Sequence, residues 1–436
     1  MHRFLPRGDK LTRVTEKQGR RIPRDILLWL LCSAVGASLA LAIVYELAEA
    51  FGNLTIFAIF YLLLCLALGG ALVIGSARLF RAAMPRSRFW TFATAPVLPA
   101  LALITAAGWE MPPRSMSEAV PTGAHIFMHE GRKIAYWRRG PIASSLPPVI
   151  FVNGGPGVAV SGATMNAIGN GFAQAGFQTY FYDQAGTGLS SKLPPADYTV
   201  ERMSEDIETL RRRLGANRII LAGTSWASII IIRYLETHGA NLSAVGLISP
   251  VSASGVDIRS VDFSKTNFHH PHWMPSIRLL VAIALIRRAP ALAEQFMTQE
   301  QSRPWAADFM TVQLTGAMTC KGHPDHVVTD YFSAPNLYPY MLLNADNSLR
   351  AGLPAAQLRK YAVPILAVRG SCDYLPKTVA ASYLAYSPDS TLWEIPGQGH
   401  GLEQTDSQAA AAIGRWLAAH ARSRNPAVTE TDVAKG

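Results

Sequence analysis

The chain has 436 residues, of which 49% are hydrophobic and only 16% are charged, and its formal net charge is +10. Soluble domains usually carry about 25% charged residues, so this deficit indicates membrane-spanning segments. Residues 1–25 hold eight Lys or Arg against three acids, which places half of the net charge in one short tail. The remainder has no basic stripe with interleaved aromatic residues, so nucleic acid is not an expected partner.

Three long runs without charged residues follow the tail, at residues 26–45, 54–77 and 89–109. A helix of about 20 residues rises roughly 30 Å, the thickness of the hydrocarbon layer, so each run predicts a membrane-spanning helix. We therefore expect a basic cytoplasmic tail over 1–25 and a three-span anchor in the lipid bilayer over 26–112. The absence of acids and bases within the runs favours a plain anchor over a transport pathway.

The charges that flank the runs predict how this anchor is oriented. Glu46 and Glu49 lie between the first two runs, where there is no basic residue, whereas four arginines lie between the second and third. Because Lys and Arg in short loops stay on the cytoplasmic side, we expect a multi-pass membrane protein whose chain beyond residue 112 is extracytoplasmic. Pro96 and Pro99 predict a kink in the third run. If that run were re-entrant, the remainder would return to the cytoplasm.

From about residue 123 short apolar strands alternate with amphipathic helical patterns. The alternation predicts an α/β fold with a mostly parallel sheet that helices cover on both faces. It is interrupted over 254–355, whose apolar run at 279–286 is too short to cross a bilayer, so we interpret this stretch as a helical cap inserted into the core. The predicted boundaries are 116–253 for the first part of the core, 254–355 for the cap, 356–421 for the second part and 422–436 for a polar tail.

Three polar residues each follow a predicted strand. Ser225 lies in GTSWAS after RIILAG, Asp373 follows VPILAVRG, and His400 follows STLWEIPG. A serine nucleophile needs a base to take its proton and an acid to orient that base, and in sheets of this kind the chain order is Ser, Asp, His. Each residue alone has an ordinary explanation, as a turn serine, a solvated acid or a structural histidine. Their joint order favours a catalytic triad.

A glycine-rich loop, NGGPG at 153–157, follows an earlier strand. The backbone amides of Gly155 and of Trp226, the residue after the serine, are suited to an oxyanion hole. A phosphate-binding loop is the alternative, but the stretch lacks the Lys-Ser/Thr ending of such loops.

The motifs GGPG (154–157), DQAGTGLS (183–190), GTSWAS (223–228) and GQGH (397–400), together with Asp373, resemble the α/β-hydrolase fold and, within it, the proline iminopeptidase group of serine peptidases. The resemblance covers roughly residues 120–420 and not the three apolar runs. It implies Ser225 as nucleophile, His400 as base and Asp373 as the residue that orients it. It also implies removal of an N-terminal residue, often proline, from short peptides, with no metal and no organic cofactor.

Several positions depart from that family pattern. Asn153 replaces the His before GGPG, Ala185 replaces an Arg, and Ala227 replaces the last Gly of the serine motif. In the cap, Trp305 with Asp308 is a poor substitute for the glutamates that hold the substrate's amino group. An esterase or lipase-like acyl hydrolase is therefore the alternative within the fold. A non-catalytic, membrane-anchored binding domain on a hydrolase scaffold is the alternative of another class.

Cysteine and histidine usage leaves one question open. Cys32 and Cys65 lie in apolar runs and are simplest as buried small hydrophobic residues. Cys320 and Cys372 lie in the polar part and can pair if it is in an oxidising compartment, which the sequence does not decide. HHPH at 269–272 lacks the spacing of metal ligands, so we expect cap surface or pocket lining there and no metal.

Overall fold

The structure is a computed structural model that describes residues 24–79, 85–110, 121–253, 258–268, 275–322, 334–345 and 355–423. Its contacts divide the chain into two compact units. One comprises Met1–Glu46 and Thr55–Thr105, and the other comprises Leu47–Leu54 and Ala106–Gly436.

Apolar helices form the first unit and extend a few residues beyond it. They are α1 (Arg24–Leu47), α2 (Leu54–Leu79), α3 (Arg86–Ala93) and α4 (Val97–Trp109). By length and composition three segments can cross a membrane, namely Leu27–Ala50, Leu54–Arg78 and Arg86–Trp109. The expected kink in the third is present, because α3 ends before Pro96 and a new helix begins after it. Proline has no N–H to donate and its ring clashes with the preceding turn.

Small residues allow the helices of this unit to pack closely. A Cβ atom added to Gly69 would lie 2.1 Å from the carbonyl oxygen of Ala93, so only glycine fits there. The buried core of the unit consists of Ala40, Val44, Tyr61, Cys65 and Ala100. Small side chains at such contacts let helix backbones approach closely. Close packing of this kind drives helix association in lipid, where burial of apolar surface gives no advantage.

An eight-stranded sheet forms the centre of the second unit, with the order β1-β2-β4-β3-β5-β6-β7-β8. The strands are β1 (His125–His129), β2 (Arg132–Arg139), β3 (Val149–Val152), β4 (Thr179–Tyr182), β5 (Ile219–Thr224), β6 (Leu242–Ile248), β7 (Ile365–Gly370) and β8 (Ser390–Ile395). The β1–β2 and β2–β4 pairs are antiparallel, and all the other pairs are parallel. The predicted mostly parallel sheet is confirmed.

Helices cover both faces of this sheet. They are α5 (Gly162–Gln174), α6 (Val200–Arg213), α7 (Ala227–His238), α13 (Lys377–Ser382), α14 (Leu402–Thr405) and α15 (Ser407–Ser423). Ala222 of β5 belongs to the core cluster that α5 and α15 complete. A Cβ atom on the next residue, Gly223, would lie 2.8 Å from Ile231 of α7. Since successive residues of a strand point to opposite faces, α7 covers the other side.

The sequence pattern does not predict α5, which contains Gly162, Gly169 and Gly171 and therefore has low intrinsic helix propensity. Tertiary packing explains why it forms. A Cβ atom on Gly171 would lie 2.6 Å from the Cβ of Ala410 in α15, so glycine is needed for this close approach. The hydroxyl of Ser161 caps the helix by accepting a hydrogen bond from the Thr164 amide at 3.1 Å.

The stretch between β6 and β7 contains five α-helices among the residues that the structure describes. They are α8 (Ile277–Arg288), α9 (Pro290–Phe296), α10 (Gln299–Leu314), α11 (Leu337–Ala345) and α12 (Ala355–Arg359). The apolar run at 279–286 lies within α8. The HHPH stretch at 269–272 lies outside the described residues.

Candidate active site

Ser225 occupies a tight turn between β5 and α7. Its backbone adopts φ +54°, a left-handed conformation that few residues with a side chain adopt. The Ser225 amide donates to the Ile248 carbonyl at 2.8 Å, which ties the turn to the neighbouring strand β6. A Cβ atom on Gly223 would lie 2.9 Å from the Cβ of Ala227, so the alanine that departs from the family pattern fits because its partner is glycine. This is the geometry of a nucleophile elbow.

Ser225, His400 and Asp373 meet at the carboxyl edge of the sheet. The Ser225 hydroxyl Oγ is 2.9 Å from His400 Nε2, and His400 Nδ1 is 2.8 Å from Asp373 Oδ1. His400 is 1% exposed and Asp373 is 6% exposed, so the pair is shielded from water. The structure therefore brings the three residues into one hydrogen-bonded chain, in an arrangement that can pass a proton from the serine hydroxyl to the imidazole.

The surroundings of Asp373 favour its ionised form. Burial acts to raise the pKa of Asp373, but the facing His400 ring, the Leu375 amide and the Arg369 charge outweigh burial and hold the pKa below its ordinary value. The Leu375 amide donates to Asp373 Oδ1 at 3.0 Å. The Arg369 guanidinium donates to the carbonyls of Asp373 and Leu375 at 3.2 and 3.1 Å and so secures the loop that carries the carboxylate. An ionised Asp373 keeps the Nδ1 proton of His400 in place.

The glycine-rich loop after β3 lies against the serine turn. A Cβ atom on Gly154 would lie 3.1 Å from the Cβ of Ser225, so the loop backbone approaches the serine closely. Gly155, with φ +121°, is the next residue and precedes Pro156. Gly155 and Trp226 thus belong to the two segments that meet at Ser225. At position 153 the Asn153 side chain donates to the Ala159 carbonyl at 2.9 Å, which fixes the start of the loop.

The DQAGTGLS segment has a structural part in this edge of the sheet. The Asp183 carboxylate accepts hydrogen bonds from the Val160 amide at 3.1 Å and the Leu189 amide at 2.8 Å. A Cβ atom on Gly188 would lie 2.0 Å from Asp183 Oδ2, which explains the glycine. Asp183 therefore joins its own loop to the segment that follows the glycine-rich loop.

Sequence reasoning missed two features beside the triad and left a third open. The Tyr374 ring lies over the His400 ring, with centroids 4.4 Å apart. The Met318 carbonyl, in the segment after α10, accepts a hydrogen bond from the Gly401 amide at 3.0 Å. Cys320 and Cys372, whose pairing the sequence left open, form a disulfide bond with their Cα atoms 5.3 Å apart. Only the cysteine pair left a signal in the sequence.

Among the described residues no group of three or more His, Cys, Asp or Glu side chains is placed to hold a metal ion. The two remaining cysteines, Cys32 and Cys65, are free and buried. Trp305, which sequence analysis weighed with Asp308 as a substitute for substrate-binding glutamates, is 7% exposed and lies in α10.

Comparison with known proteins agrees with the fold. A protein-family profile described as "alpha/beta hydrolase fold" matches residues 147–402, more than half of the chain. The chain belongs to the alpha/beta hydrolase fold family. A thermophilic esterase from Thermogutta terrifontis superposes with a TM-score of 0.51 at 18% identity, covering 69% of this chain and 99% of the esterase, which shows the likeness of fold alone.

Within the family, proline iminopeptidases are among the curated proteins similar to this chain. The Proline iminopeptidase of Lactobacillus helveticus is 26% identical over 309 residues, covering 65% of this chain and 94% of that protein. A Probable proline iminopeptidase of Streptomyces coelicolor is 28% identical over 117 residues, covering 26% of this chain but only 35% of that protein. The resemblance that the motifs suggested is confirmed as a similarity at low identity.

Proposed function

We propose that this protein is a membrane-anchored serine hydrolase that cleaves a small peptide, amide or ester through Ser225, His400 and Asp373. The observation that carries the proposal is the continuous hydrogen-bonded chain from Ser225 Oγ through His400 to Asp373, with both links at 2.9 Å or less. The similarity to proline iminopeptidases favours substrates with a free N-terminal residue.

In the proposed reaction Ser225 Oγ attacks the substrate carbonyl carbon while His400 Nε2 accepts the hydroxyl proton. The carbonyl electron pair moves to oxygen, and the amides of Gly155 and Trp226 donate hydrogen bonds to this oxyanion. When the tetrahedral intermediate collapses, His400 returns the proton to the leaving amine or alcohol and an acyl-serine remains. Water, deprotonated by His400 Nε2, then attacks the acyl carbon. The second tetrahedral intermediate collapses by breaking the bond to Ser225 Oγ, which takes the proton back from His400, so the acid is released and Ser225 is restored.

A serine-directed fluorophosphonate probe tests this chemistry against a non-catalytic binding domain. We expect the full-length protein to be labelled at Ser225 and the Ser225→Ala variant to remain unlabelled. Ser382→Ala, at an exposed serine that ends α13, is the matched control and should label normally. An unlabelled wild-type protein with normal folding would show that the scaffold binds without catalysis.

Substrate class is tested by comparing two leaving groups on the same preparation. Proline 4-nitroanilide reports aminopeptidase activity, and short-chain nitrophenyl esters report esterase activity. We expect kcat/KM to be higher for the proline anilide than for its N-acetylated form, because an aminopeptidase must recognise the free amine. Ester cleavage with no anilide cleavage would assign the protein to the esterase alternative.

We also propose that the catalytic unit lies outside the cytoplasm. The basic residues before the first apolar helix and between the second and third support this orientation, since Lys and Arg stay inside. The Cys320–Cys372 disulfide supports it as well, because disulfides persist in oxidising compartments. Alkaline phosphatase fused after residue 436 should be active in a bacterial host. Activity of a cytoplasmic reporter fused there instead would contradict the orientation.

A further inference from the structure

The first turn of α8 is tied to the residues that end and follow α4. The Glu110 carboxylate accepts hydrogen bonds from the backbone amides of Ile277 at 3.1 Å and Arg278 at 2.6 Å, so it satisfies two free amides at the start of α8. The Arg278 guanidinium returns hydrogen bonds to the carbonyls of Ala107 and Gly108 at 3.3 and 3.2 Å. The negative Glu110 thereby lies at the N-terminus of α8 and the positive Arg278 lies at the C-terminus of α4, and each helix dipole favours that charge.

The α8–α9 hairpin is also tied to the segment 47–54, within the same compact unit. The Gln295 side chain donates to the Gly52 carbonyl and accepts from the Leu54 amide, both at 2.9 Å. Arg288, at the end of α8, forms an ion pair with Glu49. Segments 47–54 and 106–110 directly continue helices that are long and apolar enough to cross a membrane. A membrane boundary would therefore pass within a few residues of every one of these contacts.

One side of α8 is apolar and exposed. Ile277 is 38% exposed and Leu280 is 50% exposed, and half-buried Ala284 continues the same side one turn later. Exposed Arg287 ends the stripe. The spacing of three, four and three residues places these side chains on one face of a helix. The opposite face is buried in the protein and contains Leu279, Ala282, Leu285 and Ile286.

We propose that α8 is an interfacial helix whose stripe, consisting of exposed Ile277, Leu280 and Arg287 with half-buried Ala284, inserts into the lipid surface. This rests on the membrane attachment proposed above. Trp109 is 85% exposed and lies one residue before Glu110, which binds the first turn of α8. Tryptophan is enriched at the boundary between lipid and water, and a short helix with an apolar face and arginine beside it is suited to the same depth.

Spin labels at single cysteines test the proposal in the full-length protein in lipid nanodiscs. Cys32→Ala and Cys65→Ala remove the free thiols, and the disulfide stays oxidised. Labels are then placed at Leu280→Cys and Ile277→Cys in the stripe, at Leu63→Cys in α2, and at Met128→Cys, an exposed apolar position of β1. Collisions with oxygen, which concentrates in lipid, are compared with collisions with a water-soluble nickel complex.

We expect labels at positions 280, 277 and 63 to favour oxygen and the label at 128 to favour nickel. If position 63 favours oxygen while 280 and 277 are as accessible to nickel as 128, the interfacial helix is wrong and the anchor stands. If position 63 also favours nickel, membrane attachment fails and the inference fails with it. Two stripe positions are used so that one variant that folds poorly does not decide the result.

Discussion

Cys320 and Cys372 join the segment that follows α10 to the loop that carries Asp373. Cys372 directly precedes Asp373, and two residues before Cys320 the Met318 carbonyl binds the amide of Gly401, the neighbour of His400. The segment that contains Met318 and Cys320 thus contacts the immediate neighbours of both His400 and Asp373. The disulfide therefore helps to hold His400 and Asp373 in place, although neither sulfur takes part in the proposed chemistry.

Breaking this disulfide should lower turnover and stability together. We expect reduction, or the Cys320→Ala/Cys372→Ala double variant, to lower the free energy of unfolding by about 2 to 4 kcal/mol and to reduce kcat more than it raises KM. The measurement is turnover and thermal unfolding with and without dithiothreitol. The double variant is its own control, because reductant should not change it further. Full activity after complete reduction, verified by thiol titration, would show that the disulfide does not support the site.

Removing the serine hydroxyl or the imidazole should abolish most catalysis. We expect Ser225→Ala and His400→Ala each to reduce kcat by about 10⁴-fold or more, with a residual rate from the oxyanion donors and substrate binding. The two residues act as a unit, so the double variant should be scarcely slower than either single variant. If the double variant instead lost the product of the two single fold-changes in kcat, Ser225 and His400 would not act together in the same chemical step.

The left-handed backbone at Ser225 should carry a cost in stability that glycine removes. Because a residue with a Cβ is disfavoured at φ +54°, we expect Ser225→Gly to be more stable than Ser225→Ala by about 1 kcal/mol while both are inactive. Denaturant unfolding of the two variants checks this. Ala227→Gly, in the regular helix two residues later, should instead be destabilising by up to about 1 kcal/mol. Equal stability of the two Ser225 variants would contradict the strained turn.

The rate should fall on the acidic side because His400 must be neutral to accept the serine proton. The pKa of Asp373 lies below its ordinary value, so this carboxylate is ionised throughout the neutral and mildly acidic range. Its contribution to stability is present above the unfolded carboxyl pKa of about 4 and is lost only as pH falls through the lower folded pKa. A loss of kcat/KM between about pH 7.5 and 5.5 therefore belongs to the imidazole.

A pH profile of kcat/KM measures this acidic loss of rate, and circular dichroism at each pH checks that the protein is still folded. The protein should remain folded at the pH where the rate has fallen, because Asp373 is still ionised there. A rate that stays constant down to about pH 4 would be incompatible with His400 as the general base.

The sequence alone determined most of the sheet and predicted the three residues of the proposed triad. Apolar runs such as Ile219–Thr224 and Ile365–Gly370 are strands buried on both faces, and such runs carry their own signal. Parallel strands end at one edge of the sheet, so polar residues after β5, β7 and β8 were expected at that edge. Ser225, Asp373 and His400 could be named for that reason.

Only the tertiary structure decided the features that depend on contact between distant segments. Glycine-rich α5 forms because Gly171 packs against Ala410, a gain that local propensity does not contain. Whether Cys320 and Cys372 pair depended on a Cα separation of 5.3 Å across 52 residues of chain. The ring of Tyr374 over His400 and the Glu110 carboxylate at the start of α8 likewise result from folding, because no local pattern specifies which distant partner a side chain meets.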